Sequence, residues 1–274
     1  MQLNFTKMHA LGNDFLVAQG DTPPATEVIQ RLADRHTGVG FDQLLWLSDP
    51  QSPDLDIRYR VFNADGGEVE QCGNGARCVV RFIAGDSADT ERVWRLGFPD
   101  GVVAARLQSD GSVAVEMGIP DFAPDSLPMV APAGIQDSYQ VDVAGESIEL
   151  IAVSMGNPHA VIIVDDIDAA SVAEWGPLLE SHECFPKRAN IGFMQVMDTA
   201  HIRLRVFERG VGETSACGTG ACAAVAAGRR AGILSSGVTV ALPGGELMVR
   251  WSGVGAPVWL IGEAVRAFEG VVAI

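Results

Sequence analysis

Residues 60–76 read RVFNADGGEVEQCGNGA, and residues 205–221 read RVFERGVGETSACGTGA. Aligned without a gap, the two stretches share nine identities over 17 positions: Arg60/Arg205, Val61/Val206, Phe62/Phe207, Gly67/Gly212, Glu68/Glu213, Cys72/Cys217, Gly73/Gly218, Gly75/Gly220 and Ala76/Ala221. Two weaker echoes keep the same order. Met8 to Asn13 resembles Ser154 to Asn157, and Val39-Gly40-Phe41-Asp42-Gln43 resembles Ile191-Gly192-Phe193-Met194-Gln195. Three echoes in one order make internal duplication the better account of each. The chain is expected to consist of two similar halves.

Within each half the periodicity favours strands with one short apolar helix. Residues 55–62 and 201–207 alternate at period two, as half-buried strands do. Each is followed by a Gly-rich turn and a helical stretch, 76–84 and 221–231. The second is nearly all Ala and Val until Arg229, which suits only a packed interior. Further strands are expected over 93–98, 102–107, 113–117, 161–164, 238–242 and 247–251. An amphipathic helix is expected over 26–35 with Thr26 as its N-cap. The Pro-containing stretch from Pro120 to Pro132 reads as the linker. The expected class is α/β (α+β), two pseudo-symmetric duplicated domains.

Composition narrows the function. The chain has 274 residues, enough for about two domains. A formal net charge of -16 disfavours nucleic acid and anionic membrane surfaces as partners. No apolar run approaches the roughly 18 residues that span a bilayer, and the first residues lack a signal-peptide layout, so a cytoplasmic location is expected. Five cysteines, an odd number without an export signal, favour free thiols over a disulfide framework. Lys7 and Lys187 are the only lysines, which leaves few candidates for a pyridoxal phosphate Schiff base.

Cys72-Gly73-Asn74-Gly75 and Cys217-Gly218-Thr219-Gly220 each place a thiol at a helix N-terminus. Glycines there let a ligand approach the free N–H groups. The dipole favours an anion, which predicts that both thiols are partly ionised near neutral pH. Cys78, Cys184 and Cys222 have no mirrored partner and read as small buried hydrophobes. A zinc site drawing on Cys72, Cys78, Cys217, Cys222 and a His has poor ligand spacing, and a redox pair lacks the Cys-x-x-Cys motif. The duplication adds a fourth reading: two equivalent thiols facing each other across a cleft between the halves. Such a pair suits removal of a proton from one face of a carbon and return of one to the other, with no metal.

Several segments together resemble the diaminopimelate epimerase family: 8–15 (MHALGNDF), 62–66 (FNADG), 71–78 (QCGNGARC), 154–159 (SMGNPH), 188–193 (RANIGF), 208–210 (ERG) and 216–220 (ACGTG). They stand in family order along essentially the whole chain. The resemblance implies a cofactor-free isomerase that interconverts LL- and meso-2,6-diaminopimelate, on the route to lysine and peptidoglycan precursors. It implies two α/β halves, each a curved mixed or antiparallel sheet wrapped around a central apolar helix. The domains would be 1–117 with about 263–274, and 118–262.

Carried over by position, Cys72 and Cys217 are the acid/base pair, with His159 and Glu208 beside them to tune their protonation. Asn13, Gln43, Asn63, Asn157, Asn190, Glu208 and Arg209 are implied to bind the amino-acid substrate, and Gly73-Asn74 and Gly218-Thr219 to offer N–H groups to its reacting carboxylate. A homodimer is implied too, although Phe268 stands where the family often has Tyr, and Ala10 where it often has Gly. Within the repeat Asn63 falls opposite Glu208 and Ala64 opposite Arg209, so the site is symmetric at the reacting carbon and asymmetric beyond it. Related folds such as proline or hydroxyproline racemase and PhzF-like isomerases, and in another class a thiol redox or zinc-binding protein, are the alternatives.

Overall fold

The computed structural model describes residues 2–69, 72–99, 101–131 and 134–274. Glu70 and Gln71 of the repeat, and Pro132 at the end of the expected linker, lie outside the described residues. The chain divides into two compact units, Met1–Glu116 with Ile261–Ile274, and Met117–Leu260.

In chain order the first unit carries β1 (Gln2–Ala10), β2 (Asn13–Gln19), α1 (Thr26–Ala33), β3 (Gln43–Ser48), β4 (Ile57–Asn63), β5 (Glu68–Val69), α2 (Gly73–Ala84), β6 (Trp94–Phe98), β7 (Gly101–Leu107) and β8 (Val113–Glu116). The second carries β9 (Tyr139–Val143), β10 (Glu146–Ser154), β11 (Pro158–Ile163), α3 (Val172–Glu180), β12 (Asn190–Asp198), β13 (His201–Glu208), β14 (Gly212–Thr214), α4 (Gly218–Arg230), β15 (Gly237–Leu242) and β16 (Gly245–Trp251). Then follow β17 (Val258–Gly262) and β18 (Val265–Ala273).

The pairing pattern repeats. β2 runs parallel to β3, β3 is antiparallel to β4, β4 is antiparallel to β5 and parallel to β6, and β6 is antiparallel to β7. In the second unit β11, β12, β13, β14, β15 and β16 reproduce this order and these directions. Beside β1 lies β18, antiparallel, in the position that β9 takes beside β10. The last strand of the chain thus belongs to the first unit.

Local sequence accounts for these elements. On β4, Ile57, Tyr59 and Val61 are buried and Arg58 and Arg60 are not; on β13, Ile202, Leu204 and Val206 are buried and Arg203 and Arg205 are not. The repeated arginine and glutamate are partners: Arg60 pairs with Glu68 at 2.6 Å, and Arg205 with Glu213 at 2.7 Å. Each pair crosses the hairpin that leads into a cysteine loop. The central helices are packed inside their sheets, α2 against β1, β2, β7 and β8, and α4 against β10, β11, β12, β13 and β16. Residues 220–228 of α4 are all buried.

Three expectations are corrected. The helices after the cysteines begin at Gly73 and Gly218, so the glycines form their first turns rather than a preceding loop. Helix α1 ends at Ala33, and Ala25 rather than Thr26 holds its cap position, without a side-chain bond. The Gly-Phe-x-Gln echo is out of register. Strands β2 and β3 start their ladder at Phe15 and Gln43, and β11 and β12 at His159 and Asn190, so the equivalent of Gln43 is Asn190, not Gln195. Gln195 lies inside β12 and bonds the 165–167 backbone.

Candidate active site

In the first unit, a hairpin turn at Leu11-Gly12, both at positive φ (53° and 80°), starts β2 at Asn13. A two-residue connection with this handedness matches the twist of the strands it joins. Asn13, Gln43 and Asn63 therefore lie at the same end of three adjacent strands. The Gln43 amide donates to Asn63 Oδ1 at 2.9 Å, and its own Oε1 is buried without a partner among the described residues. A buried acceptor of this kind is uncommon and suits an incoming donor.

Cys72 is the N-cap of α2, and its Sγ accepts from the Gly75 N–H at 3.4 Å. It also lies 3.8 Å from Asn13 Oδ1, which accepts from Asn74 Nδ2 at 3.4 Å. Asn74 is in turn held by the fully buried Arg77, whose guanidinium donates to Asn74 Oδ1 at 2.9 Å. A side chain at position 75 would meet Leu45 at 2.9 Å, which is why the third helical residue is glycine.

In the second unit, a turn with Gly156 at φ 89° leads into β11. The ladder pairs His159 with Asn190 and Ile191 with Phe207, which sets Asn190 beside Glu208 at the end of β13. Asn190 is buried and donates to Pro158 O at 3.0 Å, while its Oδ1 accepts the Arg209 N–H at 3.0 Å. The strand ends at Glu208 and the chain turns at Gly210 (φ 74°), so Arg209 is not an ordinary strand neighbour of Glu208. Its guanidinium reaches Lys187 O at 3.4 Å. The Thr214 hydroxyl donates to Glu208 Oε1.

Cys217 caps α4 and is 4% exposed. Burial pushes its thiol well above the ordinary range, and the charge of Glu208 pushes it further; the Thr219 hydroxyl and the Gly220 N–H pull the other way without winning. The expectation that the helix N-terminus leaves both thiols partly ionised is therefore wrong for Cys217, because desolvation outweighs the dipole. At position 220 a side chain would come within 3.2 Å of the Cys217 sulfur. His159 is linked to Cys217 through two other side chains. Its Nε2 meets Asn157 Oδ1 at 3.0 Å, Asn157 Nδ2 donates to Thr219 Oγ1 at 3.5 Å, and Thr219 Oγ1 is 3.7 Å from the sulfur. Burial, then the charge of Arg209, hold His159 down to about 3, so it is neutral. Because Asn157 offers its oxygen to the ring, Nε2 carries the proton.

The remaining thiols differ. Cys78 and Cys222 are fully buried within their helices, and burial pushes Cys78 up to about 12. Cys184 is half-buried beside His182 Nδ1 at 3.1 Å. Among the described residues no group of three or more His, Cys, Asp or Glu is arranged to hold a metal ion. Phe268, on β18, is 51% exposed and meets Phe5 edge-on, with centroids 6.0 Å apart.

Sequence reasoning passed over an ionic cluster beside Asn13. Asp14 and Asp42 exchange backbone bonds through their carboxylates, at 3.1 and 3.0 Å. Arg35 reaches both carboxylates at 2.7 Å, and Lys7 donates to Asp14 and to Gly40 O. Its members come from four segments: β1, β2, the turn after α1 and the stretch just before β3.

Against known proteins, the family model described as "Diaminopimelate epimerase" matches residues 5–123 and 151–267. The diaminopimelate epimerase of Ectopseudomonas mendocina (strain ymp) is 52% identical over 275 residues, covering 99% of each chain. Among solved structures, a hydroxyproline epimerase from Agrobacterium vitis aligns with TM-score 0.70 at 15% identity, covering 100% of this chain and 93% of that one. A PhzF-family phenazine biosynthesis protein from Bacillus anthracis aligns with TM-score 0.67 at 18% identity, covering 100% of both. At these identities the two structures speak to the fold alone.

Proposed function

Because this chain belongs to the diaminopimelate epimerase family, we propose that it interconverts LL- and meso-2,6-diaminopimelate, with Cys72 and Cys217 acting as base and acid on opposite faces of one α-carbon. The observation that carries this reading is the repeated station: a thiol at the N-cap of a buried helix, glycine three residues on, and polar strand ends beside it, once in each unit.

One sulfur, as thiolate, takes the α-proton; the other, as thiol, delivers a proton to the opposite face, and the roles exchange in reverse. Cys217, kept protonated beside Glu208, is the donor at rest. When its thiolate is required, the Glu208 carboxylate is the group placed to take its proton. Negative charge develops toward the substrate carboxylate as the α-proton leaves. The first N–H groups of α2 and α4, at Gly73-Asn74 and Gly218-Thr219, suit that charge. His159, neutral and protonated at Nε2, fixes Asn157 and through it the Thr219 hydroxyl.

Gln43, Asn63, Asn190 and Arg209 supply the asymmetric part of the site. The buried Gln43 Oε1 suits an ammonium donor, and Arg209 a carboxylate. No lysine is well placed for a Schiff base: Lys7 is committed to Asp14 and Gly40 O, and Lys187 is exposed beside Arg188. The reading therefore needs no pyridoxal phosphate. The exposed Val265, Phe268 and Val271 on β18 support association of two copies through that strand, with Phe268 contributing ring area instead of a hydroxyl. No helix among the described residues is long and apolar enough to cross a membrane, and a cytoplasmic location goes with the reading.

Purified protein incubated with LL-diaminopimelate, without added cofactor, should yield the meso isomer by chiral chromatography. Turnover of proline or hydroxyproline with none of diaminopimelate would overturn the assignment.

A further inference from the structure

An asparagine amide has an oxygen that only accepts and a nitrogen that only donates, so its orientation decides what it offers a neighbour. Asn13 stands between two fixed ends. Its Nδ2 faces Asp42 Oδ2 at 3.2 Å, and a carboxylate only accepts. Its Oδ1 faces Asn74 Nδ2, whose own orientation is fixed because Arg77, which only donates, holds Asn74 Oδ1. The run Arg77, Asn74, Asn13, Asp42 therefore has one polarity, imposed by a cation at one end and an anion at the other. Cys72 lies beside it and meets the oxygen of Asn13, not the nitrogen.

We propose that Asp42 is a positioning residue, which through the Asn13 amide holds an acceptor oxygen toward the Cys72 thiol. The inference rests on the reading of Cys72 as an acid/base group. An acceptor beside the sulfur favours S–H, against the Gly75 N–H, which favours the thiolate. A substrate ammonium that donates to the same Asn13 oxygen would take this acceptor away and release the thiol to ionise. Ionisation of Cys72 is thereby linked to occupancy of the site.

Other charged or titratable groups bear on Cys72 in this unit. Arg77 and Cys78 lie on α2, Tyr59 on β4, and Lys7, Asp14 and Arg35 beyond Asn13. Burial pushes the Cys78 thiol and the Tyr59 phenol up, so neither titrates near neutrality. Replacing Asp42 leaves the contacts of Arg77, Cys78 and Tyr59 in place but removes an ion pair from Arg35 and a bond partner from Asp14, so a variant at Arg35 serves as the control.

The test is the pH dependence of Cys72 alkylation by iodoacetamide, mapped by peptide mass spectrometry in the full chain. In Asp42→Asn the anion that admits only a donor is gone, Asn13 keeps only its Asn74 end, and the Cys72 profile should move to lower pH. Cys72 should then react about threefold or more faster near neutrality. In Arg35→Gln the carboxylate of Asp42 remains, and the profile should stay or move to higher pH. An unmoved profile in Asp42→Asn, or a matching downward shift in Arg35→Gln, overturns the proposal. Neutron diffraction of the unmodified protein provides an independent check that needs no variant: deuterium on Asn13 Nδ2 should point at Asp42, and deuterium pointing at Cys72 overturns it. Alkylation reads the thiol directly, so an absence of epimerase turnover would sink the functional reading and leave this test standing.

Discussion

At the head of α2 the thiol lies beside an asparagine amide; at the head of α4 it lies beside a hydroxyl and under the charge of a carboxylate. Both sulfurs cap a buried helix, and both helices carry glycine at the third position. Both are preceded by a hairpin tied by the same arginine–glutamate pair. The differences lie in the surrounding side chains. Where the first unit has Phe15, Asn63 and Ala64, the second has His159, Glu208 and Arg209. Duplication has kept the backbone frame and changed the side chains around it. In the second unit burial and one carboxylate, set on the same backbone geometry, raise the thiol of Cys217.

The comparison can be broken most severely at the sulfurs. Cys72→Ser and Cys217→Ser should each lower kcat by about 10³-fold or more, because each removes one of the two proposed proton-transfer groups. Steady-state rates in both directions check this, and a single variant keeping a tenth of the activity would sink the two-thiol account. Next comes the carboxylate. Glu208→Gln should move Cys217 alkylation to lower pH, since Glu208 raises that thiol. It should also cost about 10²-fold in kcat.

A smaller effect concerns His159, which has no counterpart at Phe15. Its folded value of about 3 lies below the unfolded value near 6.5, so the unfolded chain takes up a proton that the folded one refuses. Stability should fall as pH drops from about 6.5 toward 3, by up to about 1.4 kcal/mol for each pH unit. Urea unfolding of His159→Gln against the parent should show a flatter dependence over that window. The smallest effect is expected at the shared hairpin pairs. Arg60→Gln or Arg205→Gln should cost no more than about 1 kcal/mol, because both pairs are partly exposed.

The repeat made the two-unit fold legible, because a strand of alternating burial, a cysteine cap and an apolar helix each leave a local pattern. Other elements left none. Strands β3 and β12 are buried on both faces for most of their length, so they show no alternation. Helix α3 contains Pro177, which breaks a helical reading. The same holds for the site. Cys72, Cys217 and their glycines stand out from the sequence, whereas the partnership of Asp42 with Asn13 spans 29 residues and becomes visible only when β2 and β3 are laid side by side. The raised thiol of Cys217 was hidden for a different reason. A helix terminus can be read from sequence, but the depth at which it is buried cannot.

The most direct test of the central claim is proton NMR of LL-diaminopimelate with the enzyme in deuterated water, followed from the first turnovers. Two unequal sulfurs working on opposite faces predict meso product carrying deuterium at the inverted α-carbon while the remaining LL substrate is still protiated. Product that keeps its original α-proton, or substrate that exchanges as fast as product forms, would mean that one group does both jobs and would contradict the account.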